Sequence, residues 1–302
     1  MQFDFGRAKG AAVVVVDRER CTGCGACVRA CRGGPLWLDG DLARADRPQL
    51  FGCIACGQCV AVCPEAAISV SGRDLFPYDV VSLPADTDRA TYDQVYSSML
   101  ARRSVREYSD QPVEPELVER ILAAASTAPM GLPPSEVGVL VADGRDKVRA
   151  LKDDLLAAMV SVRWMLSAPV LTLARPFLSD VDYSSLRGFV GPIIDAYAQS
   201  DRRGEDWFFY DAPLALVFYG SGAADPADPL IAATYAMLAG QALGLGTCML
   251  GFPMYALKYS GKLRKKYGLP DRMQSGVVVV FGYSKVRYHR ALKRRFAEVK
   301  YL

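Results

Sequence analysis

Apolar positions along the chain recur with distinct spacings, and each spacing predicts an element. Tyr92, Val95, Tyr96, Met99 and Leu100 fall three and four apart, as do Leu117, Val118, Ile121, Leu122 and Ala125. That period places each set on one face of a helix. Pro115 stands at the expected first residue of the second helix, where its missing N–H removes no bond. Residues 146–167 continue the helical pattern on a spine of Val148, Leu151, Leu155 and Met159. Residues 182–200 predict a further helix, and 228–243 an apolar one. Short unbroken apolar runs predict buried strands: VGVLVA at 137–142, LALVFYG at 214–220 and VVVVFGY at 277–283. Helices outnumber strands and long stretches separate the strands, so the pattern predicts an α+β fold rather than a regular βαβ series.

The start of the chain is patterned differently. VVVVD and AISV read as two strands flanking a segment rich in cysteine and glycine. RDLFPYDVVSLPADTD, 73–88, has two prolines and little periodicity, and reads as a linker. The expected organisation is a first domain at 1–80, a linker at 81–91 and a second domain at 92–302.

A length of 302 residues suits two domains. The apolar run AAVVVV at 11–16 is far too short to cross a bilayer, and no small-residue cleavage site follows it. No membrane span or signal peptide is expected. The formal net charge of +3 is weak, and much of its basic side sits in the tail KVRYHRALKRR, which excludes a nucleic-acid footprint.

Eight of the nine cysteines lie in two runs, CTGCGACVRAC at 21–31 and CIACGQCVAVCP at 53–64. Without an export signal, and with this spacing, a disulfide framework is not expected; a cytoplasmic, oxygen-poor setting is. A [4Fe–4S] cluster needs four thiolates converging on a cube. A tight loop with cysteines three apart supplies three of them, and the fourth comes from elsewhere. Gly23, Gly25 and Gly57 suit such loops. A pair of zinc sites is the alternative, but zinc ligands usually come as two separated pairs. Cys248, alone in GLGTCMLGF, reads as a buried, inert residue.

Residues 11–72 resemble the two-cluster bacterial ferredoxins. In that family the last cysteine of each run ligates the other cluster. The resemblance implies one cluster on Cys21, Cys24, Cys27 and Cys63, and a second on Cys53, Cys56, Cys59 and Cys31. Arg32 departs from the family's Cys-Pro pattern. Two readings stand: Arg32 raises the potential of the cluster completed by Cys31, or GGP at 33–35 moves the turn downstream.

Further along, RRSVREY at 102–108, LGLGTCMLGF at 243–252 and GYSKVRYHRALKR at 282–294 occur in the order of the nitroreductase family of flavoproteins. TAPMGLPPSEVGVLV at 127–141 is a degraded form of a fourth family segment. The resemblance spans 92–302 and implies an α+β domain with a mainly antiparallel central sheet flanked by helices, binding FMN. It implies that Arg102 and Ser104 meet the phosphate or ribityl chain, that Arg103 contributes through backbone or side chain, and that Arg106 lies near N1 and O2 of the ring. Leu250 and Gly251 follow the ring edge near N5, and Arg290 and Arg294 close over the phosphate. Pro129 and Met130 match ribityl and ring contacts. Outside this match, basic helix ends and core aromatics explain the same residues. The resemblance also implies a helical insertion at about 160–211, beyond the family's compact core, whose Phe189, Tyr197, Trp207, Phe208, Phe209 and Tyr210 are candidates for stacking on substrate.

Together the two resemblances imply an iron–sulfur flavoenzyme: electrons from a ferredoxin-type donor pass through two [4Fe–4S] clusters to FMN and on to a small organic acceptor. A nitroaromatic, quinone or enone is the expected acceptor class. The alternatives are an electron-transfer protein serving a protein partner and an NAD(P)H-driven flavin reductase. A catalytic histidine is not expected, since His289 is the only histidine and sits in the basic tail. A homodimer is implied by the family, with no nucleic-acid partner and no membrane span.

Overall fold

The computed structural model describes residues 5–47 and 52–302. Its contacts divide the chain into two compact units. The first comprises the chain up to Arg89 together with Met130–Val137 and Gly220–Asp228; the second comprises Ala90–Pro129, Gly138–Tyr219 and Pro229–Leu302.

In the first unit, β1 (Val13–Val16) pairs antiparallel with β4 (Ile68–Ser71), with Val16 opposite Ile68 and Val13 opposite Ser71. These are the two strands expected around the cysteine runs. Between them lie α1 (Ala26–Ala30), the hairpin of β2 (Trp37–Asp39) and β3 (Leu42–Arg44), and α2 (Gln58–Ala61). The two short helices each follow a glycine in the left-handed region, Gly25 at φ 69° and Gly57 at φ 72°. The core here is small and rich in cysteine: Cys27 and Cys59 are buried with Leu36, Ala43, Ile68 and Val70.

Two segments from the middle of the chain join this unit. The Arg73 guanidinium donates to the carbonyls of Ala8 (3.0 Å), Gly10 (2.9 Å) and Pro133 (2.9 Å). Arg7 donates to the Ser135 carbonyl at 2.9 Å and pairs with Asp74. The Ser221 amide donates to the Glu136 carbonyl at 3.0 Å, which ties the second segment to the first. The linear boundaries expected at 80 and 92 contain neither segment.

The second unit is built on the sheet of β5 (Val137–Asp143), β6 (Leu214–Ser221), β7 (Gly246–Leu250) and β8 (Met273–Gly282), in the order β5-β6-β8-β7. β7 and β8 run antiparallel, with Gly246 opposite Gly282 and Leu250 opposite Val278. Phe209, Leu214, Leu216, Phe218, Val278 and Phe281 are fully buried. Three of the expected strands are present. β7 is an addition: a stretch read as a glycine-rich loop is an edge strand.

The helices of this unit are α3 (Tyr92–Ala101), α4 (Pro115–Ser126), α5 (Arg145–Ser161), α6 (Ala168–Ala174), α7 (Asp180–Ser185), α8 (Gly191–Arg202), α9 (Asp228–Ala242), α10 (Met254–Tyr259) and α11 (Gly261–Lys266). α4 buries Val118, Ile121 and Ala125, and α5 buries Val148, Leu151, Leu155 and Met159, as their periodicity predicts. α3 differs. Thr91 caps it through a reciprocal box with Gln94, yet none of its residues is buried, so its apolar face meets solvent. The helix expected over 182–200 is broken into α7, a π-helical turn at Leu186–Val190 and α8. Among the described residues, no helix is long and apolar enough to cross a membrane.

Candidate functional site

The eight clustered cysteines are all free thiols, and they line two cavities. Cys21, Cys24, Cys27 and Cys63 line one, with Ala43 and Ile68 as its apolar wall. Cys31, Cys53, Cys56 and Cys59 line the other, beside Val14, Leu36 and Pro35. Each cavity thus takes three sulfurs from one run and the fourth from the other. Cys27 and Cys59, on the first turns of α1 and α2, are the buried members; Cys24 and Cys56 are exposed. Among the described residues, no three His, Cys, Asp or Glu side chains close around a single ion.

Burial pushes the Cys59 thiol up to about 12, reinforced by Cys31, Cys53 and Cys56 around it. Burial likewise raises Cys27 and Cys53. A backbone amide already serves one sulfur: the Ala67 N–H donates to Cys63 Sγ at 3.2 Å. Such N–H···S bonds stabilise sulfur that carries charge. Four sulfurs around an apolar-walled cavity form a donor set suited to a sulfide-bridged iron cluster.

The turn after Cys31 is made without proline. Gly33 adopts φ 97°, and the Gly34 N–H closes back onto the Cys31 carbonyl at 3.4 Å. A Cβ on Gly34 would lie 2.1 Å from Cys31 Sγ, so glycine lets the backbone pass this close with the thiol where it stands. Gly33-Gly34-Pro35 therefore carries the turn downstream. Arg32 is exposed at the same cavity.

In the second unit, the segment 102–106 lies against β7. Ser104 bridges Thr247, and the Val105 N–H donates to the Thr247 carbonyl at 2.9 Å. Gly246 permits this approach, since a Cβ there would lie 2.7 Å from Val105. Arg102, Arg103 and Arg294 come together: burial, then Arg294 and Arg103 in turn, push the Arg102 guanidinium below its usual pKa. The Arg103 guanidinium donates to the carbonyls of Leu100 (2.9 Å), Arg102 (2.7 Å) and Arg290 (3.2 Å), which fastens the basic tail to this segment. Among the described residues no carboxylate pairs with Arg102, Arg103 or Arg294. Like charges gathered without a counterion suit a bound anion, and guanidinium forks suit a phosphate.

Beside them lies Arg106, itself exposed. Burial works against its charge, but Tyr210 and Cys248 outweigh that and raise its pKa. Thr247 Oγ1 is buried without a hydrogen-bond partner, a polar atom left open in the same strand. Leu250 is half-buried and Gly251 exposed at the end of β7. Pro129 and Met130 are both exposed, and Met130 belongs to the first unit. The structure thus gathers Arg102, Arg103, Ser104, Arg290 and Arg294, with Arg106 following on the same segment.

The insertion aromatics divide. Phe208 and Phe209 are core residues, stacked at 5.2 Å. Trp207 packs under the Arg203 guanidinium. Tyr197 lies 5.9 Å and Phe189 6.4 Å from the ring of Phe252, the residue after Gly251, and Phe189 is exposed. Cys248 and Tyr210 acquire contacts that their sequence surroundings do not announce. The only signal is that Cys248 sits inside the glycine-rich motif.

Residues 99–283 match the model of the nitroreductase family, and residues 13–64 match that of a 4Fe-4S dicluster domain. Over 62 residues the chain is 39% identical to a subunit of an ion-translocating oxidoreductase complex of Methanosarcina acetivorans, covering 20% of this chain and 22% of that protein. It spans only about a fifth of that relative's length. It is 36% identical over 61 residues to an uncharacterised ferredoxin of Methanocaldococcus jannaschii, covering 20% of this chain and 79% of the ferredoxin. Its fold is similar to a nitroreductase of Bacteroides fragilis crystallised with bound FMN, at 17% identity and a TM-score of 0.51, over 69% of this chain and 98% of that one. With more than half its length matched, the chain belongs to the nitroreductase family and carries a 4Fe-4S dicluster domain ahead of the family's own region.

Proposed function

We propose that the protein is an iron–sulfur flavoenzyme, taking electrons from a ferredoxin-type donor through two [4Fe–4S] clusters to FMN and on to a small nitroaromatic, quinone or enone acceptor. The observation that carries the reading is the carboxylate-free set of Arg102, Arg103 and Arg294 in a chain that also rings two cavities with thiols. Cys21, Cys24, Cys27 and Cys63 would hold one cluster, and Cys31, Cys53, Cys56 and Cys59 the other. The two share a donor chemistry, so what distinguishes them is surroundings, with Arg32 beside the second.

FMN, when bound, supplies the chemistry that joins one-electron donors to a two-electron acceptor. The chain's own residues hold and polarise it. Arg102, Arg103 and Arg294 bind the phosphate, Ser104 donates from the adjoining turn, and Arg290 keeps the tail in place. Arg106 sets a positive charge beside the ring edge that becomes negative on reduction. The backbone of Leu250 and Gly251 follows the ring, and Pro129 adds a contact to the ring and ribityl chain.

The assembly is a homodimer in this reading. Tyr92, Val95, Tyr96 and Met99 form an exposed apolar face on α3, and the tail exposes Leu292, Phe296, Val299 and Tyr301. Surface of that kind is what a symmetric partner covers. A cytoplasmic, oxygen-poor setting suits exposed cluster thiols.

Anaerobic stopped-flow reduction tests the donor. Reduced ferredoxin is expected to bleach the flavin within the time of turnover while NADPH does so far more slowly. Fast reduction by NADPH with ferredoxin inert would remove the donor assignment. A screen of nitroaromatics, quinones and enones follows, and turnover of none of them would leave a carrier in place of an enzyme.

A further inference from the structure

β7 ends at Leu250, and the chain turns through Gly251, Phe252 and Pro253 into α10. Met254, Ala256 and Leu257 are the buried residues of this helix, so Tyr255, Lys258 and Tyr259 form its outer face. The start of β8 lies alongside. Gly276 permits that approach, since a Cβ there would lie 2.5 Å from Met254 Cε and 2.6 Å from the Phe218 carbonyl oxygen. Between helix and strand the surface sinks into a cavity of about 230 Å³, whose lining includes Gly251, Met254, Tyr255, Lys258, Met273 and Ser275.

The two ends of this cavity differ. At one end is Gly251, the last residue of the glycine-rich motif before Phe252. At the other is Lys258, four residues beyond Met254 and so about 6 Å further along the helix axis. The Arg264 guanidinium fastens that end by donating to the carbonyls of Leu257 (2.9 Å) and Lys258 (2.6 Å). Lys258 is exposed, and it pairs with no carboxylate among the described residues. Its ammonium lies 5.9 Å from the centroid of the Tyr259 ring, an uncharged neighbour. The wall between the ends suits a flat ring: two methionine thioethers and Tyr255, which is 54% exposed. Tyr255 stands in a row of aromatics, 5.8 Å from Phe252 and 6.3 Å from Tyr259.

We propose that this cavity is a subsite for the organic acceptor and that Lys258 selects aromatic acceptors bearing a carboxylate. The carboxylate meets the ammonium, and the reducible group lies at the Gly251 end. The inference deepens the acceptor reading above and rests on it, because that reading sets the Gly251 backbone beside the flavin ring. An ammonium and a carboxylate in a recess form a charge-assisted bond, stronger than a neutral contact. A neutral ring of the same shape keeps the apolar contacts and forfeits that bond, so the difference in affinity reports the charge alone.

The test uses the full-length protein with FMN bound and two probes of one shape: para-nitrobenzoate, anionic at pH 7, and neutral para-nitrobenzamide. Equilibrium dialysis gives both dissociation constants for wild type, Lys258→Met and Lys258→Arg. Wild type should bind the benzoate about tenfold more tightly than the amide. Raising the salt from about 50 mM to about 500 mM should narrow that preference. Lys258→Met, which keeps an apolar stem, should bring the ratio of the two constants to about one, and Lys258→Arg should retain most of it.

Equal affinity for the two probes in wild type, or a preference that survives in Lys258→Met, would overturn the inference. So would equal weakening of both probes in that variant, the mark of a structural role. If Lys258→Met loses FMN, wild type decides, and a preference indifferent to salt overturns the inference. Reoxidation of anaerobically reduced flavin by the same compounds tests the acceptor reading separately. Flavin reoxidised by neither removes that reading and this inference with it. Flavin reoxidised by both, with no preference in binding, removes this inference alone.

Discussion

At Cys31 the sulfur lies 2.1 Å from where a Cβ on Gly34 would sit, so thiol and backbone share space that a side chain would fill. Gly34→Ala must move either the turn or the thiol, and the thiol belongs to the cavity of Cys53, Cys56 and Cys59. Anaerobically prepared Gly34→Ala should lose that cluster alone, its iron falling from about eight to about four per chain. Iron unchanged at the wild-type value would show that the turn yields and the thiol does not. Three sulfurs of each set could be read from the spacing, because a tight loop brings them together; the fourth, from the other run, follows from the resemblance to two-cluster ferredoxins. The Tyr210–Arg106 contact could not: it joins residues about a hundred positions apart, through a turn that only the folded insertion creates. Phe208 and Phe209 were candidates for substrate contact and are core, since the sequence does not distinguish an aromatic facing a pocket from one facing a sheet.

Among the elements, β7 shows why periodicity fails where glycine begins. GLGTCML lacks a clean alternation, yet it pairs with β8 and supports Ser104 because Gly246 lets Val105 approach. Gly246→Ala would press a Cβ to 2.7 Å from Val105. Overpacking of this kind costs about 1–3 kcal/mol. Affinity for FMN, measured by equilibrium dialysis, should fall about tenfold or more, with about 1.4 kcal/mol per decade setting the scale. Unchanged affinity would mean that the 102–106 segment does not depend on this strand. The hairpin of β2 and β3 shows no period because three-residue strands are too short; its signal is the two-residue Gly40-Asp41 loop that joins them. α3 was legible as a helix, but its apolar face points to no core, because periodicity reports amphipathicity and not the partner.

α5 and α11 are joined by Asp154, which pairs with Lys266 and accepts from the Tyr267 hydroxyl. Burial opposes its charge, but these two partners outweigh it and hold its pKa below the usual carboxylate value. The depressed folded-state pKa means that the contribution is complete above the unfolded value of about 3.9. It is lost as pH falls through the folded value. Asp154→Asn should therefore be less stable than wild type by about 1 kcal/mol at pH 7, given a partly exposed pair. The difference should narrow in urea titrations as pH falls below the unfolded carboxylate value of about 3.9. A gap that persists undiminished at that pH would assign the effect to packing.

For the molecule as a whole, the order of elements was legible but the division into units was not. Arg73 and Arg7 bind carbonyls of Pro133 and Ser135, so a segment that follows α4 in the chain joins the cysteine-bearing unit. Hydrogen bonds from guanidiniums to backbone carbonyls leave no trace in composition or period. The exposed face of α3 and the apolar tail predict association: sedimentation should give twice the 32.9 kDa chain mass. A monomer retaining full FMN would count against the dimer.

Two clusters and one flavin in a single chain, exchanging electrons, make up the central claim. Anaerobic reductive titration, followed by visible absorbance, counts them directly. About four electrons per chain are expected, one for each cluster and two for the flavin. An uptake of about two, with either the iron–sulfur or the flavin bands absent, would contradict it.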